Sequence, residues 1–210
     1  MMRHNPLCRA AGTILAALAF WLGLAGLVSA HGSGRGQGPV AGVPIAEITH
    51  GQMPVIADHA GAILALAGRF PAPDAEFGRV LNYAKIQRAW CLWGRVPGAV
   101  TDEASPFNAC SHAWLAATQD LLVRMEAASA GRSPAVAALA RRVEGEMLLA
   151  STSLSLCAFS ATPYDTAVLV RPVWADVLRH PVSLGSLGGA AALLAAAGVL
   201  ALRWLFSRAA

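Results

Sequence analysis

The chain has 210 residues, 56% of them hydrophobic and only 13% charged, a balance too apolar for an ordinary soluble domain. Its formal net charge of +4 comes from the two ends, because between His31 and His180 there are twelve Arg plus Lys and twelve Asp plus Glu, 12 − 12 = 0. No basic patch with interleaved aromatics lies in that interval, which argues against nucleic acid as a partner, while the apolar excess at the ends points to a membrane.

Arg3 and Arg9 precede an apolar run from Ala10 to Ala30 that closes on Val28-Ser29-Ala30. A charged start, an apolar core and small residues before the cut predict a signal peptide over residues 1–30, cleaved after Ala30. The alternative is an uncleaved anchor, since a run of about 20 residues can span a bilayer. Both readings place the chain from His31 onward outside the cytoplasm. Residues 31–47, which begin HGSGRGQGPVAG, read as a flexible Gly-rich arm.

From residue 48 to 160 the punctuation is helical. Pro54 opens a first helix to about Arg69, and Pro71 and Pro73 break the chain. Asp74 then caps a second helix running to about Gly94. Ser105-Pro106 and Ser133-Pro134 are cap-plus-first-turn signals for a third and a fourth. Apolar residues recur at helical spacing: Phe107, Cys110, Trp114, Leu121 and Met125 in the third helix, and Val136, Leu139, Val143, Met147 and Leu154 in the fourth. No stretch alternates like a strand, and the connections are short. The expected class is therefore all-α, an up-and-down four-helix bundle outside the cytoplasm.

Thr162-Pro163 starts an amphipathic, membrane-proximal segment over residues 161–181, passing through Trp174 and Leu178. Residues 182–206 then form an apolar run expected to cross the membrane, with Trp204 at an interface and Arg203 and Arg208 on the cytoplasmic side, leaving 207–210 as a tail. Gly185 and Gly189 are a small-residue pair at which a partner helix could approach. On the second helix Tyr83, Ile86, Trp90 and Trp93 make a stripe rotated from Phe77, Leu81 and Ala84, which suits a helix docked on a partner or central in its own domain.

Cysteine usage singles out one end of this architecture. Cys91 and Cys110 bracket a Pro-Gly and acid-rich turn, so a disulfide between them would close a loop of about 20 residues, worth roughly 3 kcal/mol in the chain-entropy model. Cys157 is left over, either as a buried inert thiol or as a ligand for a soft metal. The bundle topology brings Cys91, Cys110 and Cys157 to the end where His50 and Met53 lead into the first helix, with His59 a turn and a half further on. His112 follows Cys110 by two residues, about 200° around a helix, and is the histidine least expected to join them.

These residues define a candidate copper site: His50, Met53, His59, Cys157 and His31, with imidazole, thioether and thiolate donors suited to that metal. His59 also fits the apolar face made by Ile56, Ile63 and Leu66, as a hydrogen-bonded core residue. His31 would become the mature N-terminus, an arrangement similar to the histidine brace of some secreted copper proteins. No C-x-x-C, C-x-x-C-H or H-E-x-x-H motif supports a metal, and no nucleophile can be paired with a base, so no enzyme is indicated. Two function classes follow. One is a membrane-anchored accessory or assembly subunit of a membrane complex, and the other is a periplasmic metal-handling protein.

Overall fold

The computed structural model describes residues 41–129, 133–149, 157–160 and 162–208. His31, residues 1–30 expected as a signal, and Leu154 lie outside the described residues. The described chain is mostly helical, with α1 at Gln52–Ala67, α2 at Ala75–Trp90, α3 at Asn108–Ser129, α4 at Pro134–Leu149, α5 at Trp174–Val177 and α6 at Pro181–Arg208. A two-residue antiparallel ladder pairs β1, Pro44–Ile45, with β2, Tyr164–Asp165.

Local chemistry sets the helix starts. Thr49 and Gln52 form a reciprocal box, Thr49 N–H donating to Gln52 Oε1 at 2.8 Å and Gln52 N–H to Thr49 Oγ1 at 3.3 Å. That pair braces the turn into α1, which itself starts at Gln52, two residues before Pro54, so that Pro54 stands in the first turn where its missing N–H is harmless. Asp74 Oδ1 accepts from Phe77 N–H at 2.8 Å, as its sequence position predicts. Ser133 Oγ accepts from Val136 N–H at 3.4 Å, with Pro134 as the first helical residue of α4.

Helix α2 ends at Trp90 rather than Gly94, because Leu92, Trp93 and Gly94 all turn left-handed, with φ of 51°, 58° and 67°. Only Gly94 adopts this without strain, and a Cβ there would stand 3.1 Å from the Trp114 ring. Trp93 is thereby taken out of the expected helical stripe. Tyr83 leaves it too: it is buried, its hydroxyl donates to Val168 O at 3.2 Å, and burial followed by the nearby Asp165 charge pushes its pKa up to about 12.

Helix α3 is the centre of the domain. It packs against α1, α2 and α4, and every residue from Cys110 to Thr118 is buried. The segments flanking the helices contribute to this core, including part of the expected flexible arm. Val43, Ile45 and Ile48 are buried in it, as is Tyr164. Residues 162–173 form no helix and contact α2, where the buried Gln87 acts as a substitute strand edge: its Nε2 donates to Val170 O, and its Oε1 accepts from Val170 N–H at 3.1 Å.

A smaller core of Val96, Ala99, Phe107 and Val177, joined by Leu92 and Leu187, seats the start of α6. His180 caps that helix. Its Nδ1 accepts from Ser183 N–H at 3.2 Å, while its Nε2 lies 3.0 Å from Asp102 Oδ2. The His180 hydrogen bond first, then the Ala104 N–H, hold the Asp102 carboxyl below its usual range. Within α6, Pro181–Ser207 is long and apolar enough to cross a membrane.

Gln87 offers a direct check on how the 162–173 segment is held. Gln87→Leu keeps the volume but strands two backbone groups of Val170, so it should lower stability by about 2 kcal/mol or more. Thermal unfolding of the detergent-solubilised full chain followed by circular dichroism would show it. An unchanged midpoint would mean that the segment does not depend on this amide.

Candidate metal site

Three side chains converge beside the N-terminal end of α3: His50 from the turn entering α1, His112 from α3 itself and Cys157 from the turn at 157–160. One donor atom from each lies within 4.8 Å of the other two. His112 Nε2 is 3.0 Å from Cys157 Sγ, and the His50 and His112 rings are 5.7 Å apart at 37°. Phe159 closes one side, its ring 6.1 Å from that of His112.

Ser160 builds the site from outside. Its hydroxyl accepts from Cys157 N–H at 2.9 Å and from His50 N–H at 3.1 Å, and it lies 3.6 Å from Cys157 Sγ. One oxygen thus ties together two segments more than a hundred residues apart in sequence. His50 is further placed by the Thr49–Gln52 box on its other side, and its Nε2 lies 3.4 Å from Thr101 O.

Two imidazole nitrogens at this site have no hydrogen-bond partner among the described residues. His50 Nδ1 and His112 Nδ1 are buried without a hydrogen bond. Asn108 and Ser111, one turn and one residue before His112 on α3, also carry buried side-chain atoms without a partner. Native interiors pair nearly all such groups with protein, water or an ion, so a group of them beside a thiol marks a place for a bound species. His112 is fully buried, and that burial first, with the His50 charge adding to it, lowers its pKa to about 4. It is therefore neutral near pH 7, with a lone pair free for a metal.

The donor set discriminates among ions. Two imidazoles and a thiol, with no carboxylate in the group, do not suit Mg²⁺ or Ca²⁺ and do suit copper or zinc. Of the residues expected from sequence, His50 and Cys157 belong to the cluster. His59 does not: its Nε2 lies 2.7 Å from Glu146 Oε2 at the α1–α4 contact, the hydrogen-bonded role also open to it. Met53 is fully buried in the main core.

The largest correction is His112, which stands at the centre of the cluster rather than away from it. The angle was right and the inference from it wrong. A residue about 200° from Cys110 faces solvent only on a peripheral helix, and α3 has no solvent face at this level. The signal was present in sequence: from Ala104 to Gln119 there is not one charged residue, the mark of a helix buried all round. Cys91 and Cys110 sit at disulfide distance, Cα to Cα 5.7 Å, on the α2 side of α3, and Cys157 is the free cysteine among the described residues.

Among the described residues, fold and site together define a mostly helical chain with one helix long and apolar enough to cross a bilayer and one His/Cys cluster. No family model, curated protein or solved structure matches it.

In the metal-free chain, folding keeps His112 neutral while the unfolded chain lets it protonate near its usual 6.5. Its contribution is therefore complete above pH 6.5 and is lost as the pH falls from there to about 4. Stability measured with a chelator present should drop by about 1 to 3 kcal/mol over that window, and His112→Phe should flatten the drop. An equal drop in the variant would assign it to other groups.

Proposed function

We propose that this protein is a membrane-anchored, extracytoplasmic metal-handling protein that holds Cu(I) between His50, His112 and Cys157. The observation that supports the reading is the pairing of a free thiol with two imidazoles that carry buried, unpartnered nitrogens. Copper is preferred to zinc because three donors of mixed nitrogen and sulfur character satisfy Cu(I), whereas structural zinc takes four. Bound there, the ion would take the place of the contact between His112 Nε2 and Cys157 Sγ. Ser160 would keep the thiol and His50 in register.

Metal analysis and Cu(I) competition titration of the full chain in detergent test this. The expected outcome is one copper per chain, weakened at least about tenfold by His112→Ala, His50→Ala or Cys157→Ser and unchanged by His59→Ala. Zinc at the same stoichiometry with the same dependence would keep the site and change the metal. No metal under any condition would remove the reading.

The accessory-subunit reading is favoured by a separate observation. Ile86 and Trp90 are exposed on α2, and no atom stands within 4 Å of where a Cβ would sit at Gly185 or Gly189. A protein that carries copper to a membrane complex would use both features. Loss of partner co-purification on changing Gly185 and Gly189 to Leu would support that role.

A further inference from the structure

The left-handed turn after α2 exposes Trp93, at 55% of its surface, while Leu92 beside it turns into the smaller core. Two other exposed apolar residues are placed in the same way. Trp174 stands edge-on to the core residue Phe107 at 5.5 Å, and Leu178, 73% exposed, follows the core residue Val177. These residues are not scattered: each is attached to the one small core that also takes in Leu187 of α6.

Leu187 marks a level along α6. Up to it, Ser183, Ser186 and Leu187 face the domain, and from Gly188 to Ser207 every residue is exposed. That exposed length is about 20 residues, about 30 Å of helix, which matches the hydrocarbon thickness of a bilayer. If α6 spans the membrane, its hydrocarbon segment therefore begins where the domain ends, and the small core lies at headgroup level. Exposed tryptophans at that level are the side chains that bilayer interfaces select, having an apolar ring with one polar N–H.

We infer that Trp93, Trp174 and Leu178 form a lipid-contacting rim by which the domain rests on the outer surface of the same bilayer that α6 crosses. The strained backbone at Leu92 and Trp93 then has a purpose, since it sends one residue into the protein and the next into the headgroups. The rim fixes the height and tilt of the domain, which a single helix with one connecting turn would leave free. This inference rests on the reading of α6 as a membrane span.

The test is tryptophan fluorescence of the full chain in phosphatidylcholine nanodiscs, with and without bromine on the acyl chains near the headgroup. Single-tryptophan chains, with Phe at the other positions, would carry Trp93, Trp174 or Trp204, and a fourth would carry Phe70→Trp at the opposite end of α1. Trp93 and Trp174 should be quenched to about half the extent of Trp204 or more, and Phe70→Trp hardly at all. Quenching of Trp204 with Trp93 and Trp174 no more quenched than Phe70→Trp would overturn the rim, as would a protein partner found covering the face. An unquenched Trp204 would instead remove the membrane span itself, a different failure. Should the single-tryptophan chains not fold, the unaltered chain compared with Trp93→Phe reads the same contact, with less quenching expected in the variant and equal quenching contradicting it.

Discussion

Burial of α3 on every side is the constraint from which the rest of this structure follows. Its uncharged stretch cannot face water, so α1, α2, α4 and the flanking segments must cover it. Once covered, its polar residues become expensive unless something answers them. Cys110 is answered on the α2 side by Cys91, with Gln87 Nε2 3.5 Å from the Cys110 sulfur. His112, on the far side, is answered by Cys157 at one nitrogen and by no described residue at the other.

The two sides of α3 thus give sulfur two different chemistries. On one, a pair at disulfide distance joins the end of α2 to the start of α3. On the other, a free thiol beside a histidine kept neutral by burial has the makings of a soft-metal ligand. Their separation around the helix keeps the two apart. A bond between Cys91 and Cys110 would stiffen this site, because it would pin the first turn of α3 at Cys110 while that turn presents His112.

Much of this could be read from the chain, and the misses have physical causes. Asp74 and Ser133 behave as caps because capping depends on neighbours within three residues. The Cys91–Cys110 pairing depends on one short turn, and it too was legible. Residues whose role depends on distant chain were not. Ser160, Gln87 and Tyr83 all serve contacts across more than eighty positions, and no local pattern announces them. His112 belongs to a different class of miss, since helix phase gave its direction but not what occupied that direction. The Thr49–Gln52 box was a local signal passed over in favour of Pro54.

In the proposed site it is the histidine on the far side of the buried helix, not the cysteine on its near side, that would meet a metal together with Cys157. Copper X-ray absorption on the Cu(I)-loaded full chain asks this most directly. The account predicts one sulfur and two imidazole nitrogens around the ion, with the sulfur lost in Cys157→Ser and one imidazole lost in His112→Ala. Copper bound without sulfur, or with both imidazoles retained in His112→Ala, would contradict it.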